Sequence, residues 1–485
     1  MNSPTSTHEA IQTVDCCIAG GGPAGVVLGL LLARQGVDVL LLEAHQNFDR
    51  EFRGDTVHPS TVNLIEQLGL LDKLLALPHV AMLDYPFHYP DGSISPPPTK
   101  RDRARLSSSY MIPQHLLLEM LVREAQRYPT FRLATGARVD DLLRDARGVC
   151  GICYTAADGP HEVRASLVVG ADGRFSKVRQ LAGVPLRGRG APMDVLWFRL
   201  PKAASDPERA AGVYLGTDGV VVIMDRPDGW QVGYAFAKGA YQRLRDAGPE
   251  ALRRSVVDHA GWLADRIELL REWRQVSLLS VDAGRVERWY APGLLLIGDA
   301  AHVMSPVGGV GINYAVQDAV VAANIIGPGL LQGTLRTADL AAVQCRRELP
   351  TRLMQALQRR MTPFSAAGQP RQRPPLLIRL AMGSPLAALP RRLIAFGGWR
   401  PERVRDLQSK RRGRLRRFAV QLAVSTAKCV WSALGQVDTR AFAVFGLPVY
   451  THELLRPRHL RAGEASYSER DVKSPSDKQA AVDGG

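Results

Sequence analysis

The sequence has 485 residues, of which 46% are hydrophobic and 22% are charged, and its formal net charge is +15. This composition is typical of a soluble globular protein with room for two or three domains. The first 14 residues are polar and do not resemble a signal peptide. We expect no membrane-spanning helix, because the sequence has no run of about 18 uncharged apolar residues. Six cysteines without framework spacing favour the cytoplasm over a secreted disulfide scaffold.

The first predicted elements form one local unit. Residues 14–19 predict a buried strand, and residues 23–35 predict a helix with Gly36 just after its end. Residues 37–42 predict a second buried strand, which ends at Glu43. A strand, a glycine turn, a helix and a second strand with a terminal acid are typical of a dinucleotide-binding domain.

The rest of the chain predicts a mixture of strands and helices. In chain order we expect a loop or edge strand (83–100), a helix (115–127), two strands with a hairpin turn at 145–148 (131–159), a buried strand (167–170), an inserted antiparallel sheet (191–240), a buried strand (294–297), a long helix (312–326), a mostly helical region beyond 349 and a disordered tail (461–485).

The first glycine motif suits a dinucleotide. Gly20 permits the tight turn, Gly22 lets backbone N–H groups approach a pyrophosphate, and Gly25 allows close packing of helix and strand. Glu43 is positioned to accept hydrogen bonds from ribose hydroxyls. This unit alone fits NAD and FAD equally well.

Two further glycine motifs favour a flavin. In the third motif Gly298 and Asp299 follow a predicted strand, so that Asp299 can hold ribityl hydroxyls. The run from Gly308 to Asn313, with Gly309, Gly311 and Ile312, offers backbone N–H groups that stabilise the negative charge of a reduced flavin. The second motif begins at Asp172 and Gly173.

Some residues of these motifs have two readings. His302 is either a catalytic base or, more often in such a position, a packed structural histidine. Asp172 is either a cofactor residue or a turn residue, with Arg179 ion-paired to position the next helix.

At this point the chain resembles the class A flavoprotein monooxygenases of the para-hydroxybenzoate hydroxylase type, which include ubiquinone-pathway hydroxylases. The resemblance covers about residues 12–350. It implies an α/β fold: a Rossmann-like FAD-binding domain (1–82, 111–190 and 281–350), an inserted antiparallel β-sheet substrate domain (83–110 and 191–280), a helical C-terminal region (351–460) and the tail (461–485).

The resemblance also implies roles for single residues. Gly20, Gly22, Gly25 and Glu43 would bind the ADP part of FAD, and Arg53 and Gln114 would contact the cofactor. Asp172 and Gly173 would lie near both FAD and NAD(P)H, Asp299 would bind the ribityl chain, and Pro306 would lie beside the isoalloxazine ring. No metal site is expected.

The implied chemistry is hydroxylation of an aromatic small molecule. NAD(P)H would reduce FAD, O2 would form a C4a-hydroperoxide, and a phenol- or quinone-like ring, including a lipophilic one, would take up oxygen. His58 is the candidate polar residue near the ring. The candidate substrate-pocket residues lie on the inserted sheet, where they are equally compatible with a core: Trp197, Arg199, Tyr214, Tyr234 and Phe236.

Other functions share these motifs. One alternative is a flavoprotein reductase of the same superfamily that acts on isoprenoid or lipid double bonds. A flavin-dependent halogenase is disfavoured because the chain lacks a Trp-x-Trp-x-Ile-Pro stretch. A third alternative is an FAD-binding scaffold with a basic tail that contacts a membrane.

The basic C-terminal region suggests a partner. The segment from Arg391 to Arg417 contains eleven Lys or Arg residues and only two acidic residues. The basic run that begins at Arg411 leads into an apolar stretch that ends at Leu434. Residues 411–434 therefore predict an interfacial helix at the inner face of a membrane, with packing against the FAD domain as the alternative. We expect no nucleic-acid partner, and a homodimer is compatible with the tail.

Overall fold

The structure is a computed structural model. It describes residues 12–49, 54–82, 86–89, 92–94, 106, 108–188, 190–208, 210–362, 364, 393–397 and 402–405. Arg53, the basic segment 411–434 and the tail 461–485 lie outside the described residues.

Strands supply two large sheets and two small ones. The strands are β1 (Gln12–Ala19), β2 (Val39–Glu43), β3 (Thr56–Val57), β4 (Val80–Met82), β5 (Phe87–Tyr89), β6 (Gly92–Ile94), β7 (Ser109–Met111), β8 (Phe131–Thr135), β9 (Arg138–Asp145), β10 (Gly148–Ala156), β11 (Gly159–Gly170), β12 (Met193–Leu200), β13 (Gly212–Leu215), β14 (Val220–Arg226), β15 (Gly229–Ala237), β16 (Ser277–Leu279), β17 (Gly284–Arg285), β18 (Tyr290–Ala291), β19 (Leu294–Leu296) and β20 (His302–Val303).

Helices cover both large sheets. They are α1 (Pro23–Gln35), α2 (Pro59–Gln67), α3 (Leu71–Leu75), α4 (Gln114–Ala125), α5 (Lys177–Leu181), α6 (Tyr241–Asp246), α7 (Pro249–His259), α8 (Gly311–Leu331) and α9 (Thr337–Met361). Short 3-10 turns occur at Gly261–Leu263, Ile267–Leu269, Trp273–Gln275 and Gly298–Ala300.

The eight-stranded sheet carries the dinucleotide-binding unit. Its main path runs β18-β19-β11-β1-β2-β8, and β19, β11, β1, β2 and β8 are parallel. The predicted hairpin is present, because β9 and β10 pair antiparallel and continue from β11. The central strands are buried on both faces, which explains their continuous apolar sequence. Gly36 follows the last residue of α1 and has a φ of 93°, a value that glycine readily adopts.

The seven-stranded sheet is the predicted inserted antiparallel sheet. Its order is β16-β12-β15-β14-β13-β5-β6, and all its pairs are antiparallel except β13 with β5. One face packs with Leu252 and Val256 of α7 in a closed apolar core. The opposite face packs in a second apolar cluster that includes Phe364 and Val307. The domain boundaries themselves stay a prediction.

α8 is the longest apolar helix among the described residues. It packs against α1 and α9, and it is long and apolar enough to cross a membrane, but 78% of the relevant window is buried in the protein. A buried helix of this kind is expected in the core of a large domain. The predicted helix 312–326 corresponds to about the first three quarters of α8, which continues to Leu331.

Candidate active site

Three glycine motifs meet at one edge of the large sheet. They follow β1, β11 and β19, which are neighbours in parallel pairing, with Ala19 beside Gly170 and Gly170 beside Leu296. Glu43 ends the next strand, where Leu42 pairs with Ala19. Ligands of open α/β sheets bind at the carboxyl ends of such strands. Register thus places motifs separated by more than 100 residues at the same edge.

Each glycine of the first motif has a distinct environment. Gly20 has a φ of 104°, and a Cβ there would collide with the Ala171 carbonyl. A Cβ at Gly25 would collide with the Gly20 carbonyl, so this glycine permits the contact of α1 with the turn. Around Gly22, at the N-terminus of α1, no atom lies within 4 Å of a Cβ position. The helix N-terminus therefore faces open space.

Glu43 organises the same turn. Its Oε2 accepts a hydrogen bond from Gly21 N at 2.8 Å, and its Oε1 accepts one from His45 N at 2.9 Å. The side chain is 2% exposed. The carboxylate therefore fixes the backbone of the glycine turn, and its predicted contact with ribose hydroxyls stays a prediction.

The second motif caps a short helix. Asp172 accepts hydrogen bonds from Ser176 Oγ at 2.5 Å and from Val178 N at 3.0 Å, at the start of α5. Burial raises the pKa of Asp172, against the opposing effect of these hydrogen bonds. Gly173 has a φ of 82° and open space around its Cβ position. Arg179 donates to the carbonyls of Arg174 and Ala300 rather than forming the expected ion pair with Asp172.

The turn of the third motif rests on a buried ionic cluster. Asp318 of α8 accepts hydrogen bonds from Gly298 N at 3.0 Å and from His302 Nε2 at 2.6 Å. The other carboxylate oxygen of Asp318 accepts a hydrogen bond from Arg347 Nε of α9 at 2.8 Å. Burial acts to raise the pKa of Asp318, but His302 and Arg347 outweigh it and lower that pKa below the ordinary value.

These contacts decide between the two readings of His302. The ring is 1% exposed and packs 4.8 Å from the Trp289 ring. It therefore holds the Gly298–Ala300 turn in place, as expected for a packed structural histidine. Asp299 lies half-buried in that turn.

The loop after this turn carries Pro306 and three glycines. Gly308 and Gly309 have φ values of 81° and 60°, and Pro306 O accepts a hydrogen bond from Gly309 N at 2.9 Å. Gly311 begins α8 and, like Gly22, has no atom within 4 Å of a Cβ position. The first N–H groups of a helix have no intrahelical acceptor and are available to an anionic group.

His58 lies under this loop. Its Nε2 donates to Gly308 O at 3.0 Å, so its Nδ1 is the acceptor for Ser109 Oγ at 3.2 Å. Burial lowers the pKa of His58 from 6.5 to about 4. A neutral imidazole with both nitrogens engaged by protein atoms serves to position the loop. Its predicted catalytic role stays a prediction.

Asn313 connects the same loop to α2. Its Oδ1 accepts hydrogen bonds from His58 N, Ser60 Oγ and Thr61 Oγ1, at 3.1, 3.4 and 2.6 Å. The side chain is fully buried, and its Nδ2 has no hydrogen-bond partner among the described residues. Ile312 is also buried, beside Gly54.

Gln114 lies at the start of α4 near the same segment. Its Nε2 donates to Gly54 O, and its backbone N donates to Asp55 Oδ1, both at 3.0 Å. Asp55 also forms a buried ion pair with Arg226 at the end of β14. This pair joins the segment that follows Arg53 to the seven-stranded sheet, a connection that no sequence pattern signals.

The candidate substrate residues divide between two sheet faces. Tyr214, Tyr234 and Phe236 are buried in the closed core under α7, with Tyr214 Oη donating to Ala210 O and Tyr234 Oη to Asp218. They are core residues, the alternative left open by the sequence. Arg199 is exposed and pairs with Asp228 at 3.4 Å. Trp197 alone among the five packs on the face that includes Val307.

The described residues fit FAD. Open space at Gly22 and Gly311 lies where two helix N-termini begin, at the edge that also carries Asp299 and Gly173. Two such helix ends suit an elongated cofactor with a pyrophosphate and an electron-accepting ring, because each stabilises negative charge.

The comparisons with known proteins agree with this geometry. Residues 13–354 match the family of FAD binding domains. The chain is 36% identical over 368 residues to 6-methylpretetramide 4-monooxygenase of Streptomyces rimosus, across 72% of this chain and 84% of that protein. It is 30% identical to a ubiquinone hydroxylase of Rhodospirillum rubrum, across 65% of this chain and 73% of that protein.

A solved structure confirms the predicted fold class. The crystal structure of P. aeruginosa PqsL in complex with 2-aminobenzoylacetate superposes with a TM-score of 0.62 at 21% identity, and covers 71% of this chain and 94% of that one. The family match and the close relatives show more than the fold. The chain belongs to the family of FAD binding domains and is an FAD-dependent monooxygenase of the class A type, with NAD(P)H as the electron donor typical of that family.

Proposed function

We propose that this enzyme hydroxylates a phenol- or quinone-like aromatic small molecule, using NAD(P)H and O2. One observation carries the proposal: an apolar sheet face converges on the loop of the third motif. Trp197 and Val307 pack against one cluster, next to Pro306. The buried members of that cluster are Met193, Val195, Leu215, Val220, Ala235, Val281 and Phe364.

The apolar face suits an aromatic ring. Transfer of a planar apolar substrate from water to an apolar face lowers the free energy, and an apolar wall excludes water from an oxygen-activating flavin. Bound FAD supplies the electron transfer and oxygen activation. The protein's residues bind the ring, orient it and keep water out. Trp197 is the proposed ring contact, because its indole lies against Gly233 and is only partly buried.

The names of relatives support the substrate class. The similar proteins include an enzyme named for 6-methylpretetramide and one named for ubiquinone. Both names denote ring compounds that carry oxygen substituents, and the second is lipophilic. This agreement supports an aromatic or quinone-like substrate, including a lipophilic one, for the present chain.

The test is NAD(P)H oxidation by the purified enzyme with a panel of phenols and quinones, while hydrogen peroxide is measured. For some member of the panel, the expected result is stimulated NAD(P)H oxidation with little peroxide and a product whose mass shows one added oxygen atom. Trp197→Ala should raise KM for that substrate by about tenfold or more, since burying an aromatic ring contributes on the order of 1.5–3 kcal/mol. Arg199→Ala, on an exposed position of the same strand, is the control.

NAD(P)H oxidation that yields no hydroxylated product with any member of the panel would contradict the proposal and favour the lipid-reducing alternative. On the basis of the sequence we also propose membrane contact through residues 411–434 at the inner membrane face, a homodimer and a cytoplasmic location.

A further inference from the structure

α9 carries an unusual buried face. A helix that packs on a core normally buries apolar side chains at intervals of three and four residues. At this spacing α9 instead buries several polar side chains among apolar ones: Gln344, Arg347, Thr351, Gln355 and Gln358. Buried polar groups must find hydrogen-bond partners or cost free energy. The partners of this face therefore indicate its purpose.

The buried glutamines of α9 all donate to backbone carbonyls. Gln344 Nε2 donates to Glu287 O at 2.7 Å, and its Oε1 accepts from Trp289 N at 3.0 Å. Gln355 Nε2 donates to Gly284 O and Val303 O at 3.0 and 3.1 Å. The helix thus holds the backbone that leads into the third motif.

Gln358 holds the carbonyls on both sides of Pro306. Its Nε2 donates to Ser305 O at 2.7 Å and to Val307 O at 2.8 Å. Two carbonyl acceptors require the NH2 end of the amide at this place, and the Oε1 has no hydrogen-bond partner among the described residues. The side chain is 2% exposed. Its position is therefore determined by the loop that it binds.

These bonds orient the peptide planes of the loop. No cis peptide occurs among the described residues, and in a trans peptide the C=O and N–H groups point in opposite directions. Since Val307 O points toward Gln358, the N–H of Gly308 points away from α9. On its other side the loop is held through Gly308 O by His58 Nε2 at 3.0 Å.

We infer that Gln358 is a positioning residue for the flavin. It aims the Pro306 loop, and with it the Gly308 N–H, toward the isoalloxazine, while making no contact with cofactor or substrate itself. The inference rests on the proposed function, because Pro306 is expected beside the flavin ring. Gln355 provides the comparison, since it lies one turn earlier, is similarly buried and also binds two carbonyls, but not those beside Pro306. Its Oε1 accepts one further hydrogen bond, from Arg285 at 3.2 Å.

The experiment compares Gln358→Met with Gln355→Met in the full-length holoprotein. Methionine has a similar volume but no N–H donor, so Gln358→Met removes two hydrogen bonds. Gln355→Met removes its two bonds to carbonyls and also the bond from Arg285. FAD release on dilution, the visible absorption of the bound flavin and its reduction potential are measured beside Tm. We expect both variants to lose Tm, with a loss in Gln355→Met at least as large as in Gln358→Met. Only Gln358→Met should shift the flavin absorption and potential and weaken FAD binding by about tenfold, the change expected for one misdirected hydrogen bond.

Equal flavin signals in the two variants, or unchanged signals in Gln358→Met, would overturn the inference. If Gln358→Met does not fold, Gln358→Asn against Gln355→Asn makes the same comparison, because the shorter amide reaches at most one carbonyl. A wild-type protein that holds FAD but hydroxylates no ring would contradict the proposed function alone, and these flavin measurements would still decide the role of Gln358.

Discussion

His58 shows how burial changes the protonation of a single residue. The sequence suggested a polar group near the flavin, and the structure places the imidazole between Ser109 and Gly308 with 7% of its surface exposed. Burial lowers its pKa to about 4, so the ring is neutral at physiological pH. A neutral ring with both nitrogens engaged by protein atoms stabilises the loop, and a catalytic role for His58 stays a prediction.

This state predicts a pH-dependent stability. Because the folded-state pKa lies below the ordinary 6.5, the unfolded chain takes up a proton between pH 6.5 and about 4 while the folded protein does not. The contribution of His58 is therefore complete above pH 6.5 and decreases by about 3 kcal/mol as the pH falls to about 4. Urea unfolding of wild type and His58→Gln at pH 7 and pH 4.5 measures it.

The expected result is a smaller loss of stability at low pH in His58→Gln, because glutamine does not titrate. His115→Gln is the control for the loss of a histidine whose side chain is one third exposed, and His58→Gln should lose less stability at low pH than this control. Parallel pH profiles for His58→Gln and wild type would show that His58 is not held neutral by burial.

At the scale of elements, the first strand–turn–helix unit was almost completely predictable. The structure places β1, α1 and β2 within two residues of the predicted bounds. The reason is local: positive φ, a helix N-terminus and a close helix–strand contact each require glycine at a particular step of the chain. The functions of Gly22 and Gly25 nevertheless differ, which permits a test.

Gly22→Ala and Gly25→Ala should fail in different ways. A Cβ at Gly25 collides with the Gly20 carbonyl, so this variant should lose stability by about 1–3 kcal/mol or more. A Cβ at Gly22 meets no protein atom, so that variant should keep the Tm of the apoprotein and lose FAD affinity instead. Tm of the FAD-free proteins and FAD titration separate the two effects.

If Gly22→Ala binds FAD as wild type does, the open space at this helix end is not a cofactor site. If Gly25→Ala keeps the apoprotein Tm, the contact of α1 with the turn does not need glycine. The two outcomes are independent of each other.

α9 is the element whose role the sequence did not reveal. The region beyond residue 349 was predicted only as mostly helical and rich in Arg and Pro. The spacing of Gln344, Gln355 and Gln358 is a weak signal of a buried polar face, because exposed glutamines on a helix can have the same spacing. Only the contacts with Ser305 and Val307 show that Gln358 is buried and bound to the loop.

At the scale of the whole molecule, positive charge is concentrated in the predicted interfacial segment. If residues 411–434 bind an anionic membrane, reversing Arg411 and Arg412 to Glu should weaken binding to anionic vesicles more than tenfold, because each basic residue near such a surface contributes about 1 kcal/mol. Sedimentation of full-length protein with phosphatidylserine vesicles measures this.

The control reverses two exposed arginines of α6, Arg243 and Arg245, to Glu, which gives the same change in net charge. Equal loss in both variants would indicate a general effect of net charge. Wild-type protein that does not sediment with the vesicles at low salt would contradict the membrane prediction.

The sequence by itself determined the family, the cofactor and the local form of the glycine turns, because backbone conformation and close contacts limit the residue types that fit. It predicted alternating strands in the inserted sheet, but alternation defines two faces without saying which one meets the flavin. The tertiary structure placed Tyr214, Tyr234 and Phe236 in the core under α7 and Trp197 on the face with Val307. It also brought the three motifs to one edge and supplied partners for His58, Asp318 and Gln358. Those decisions depend on packing between segments up to 255 residues apart, and local residue pattern does not specify such contacts.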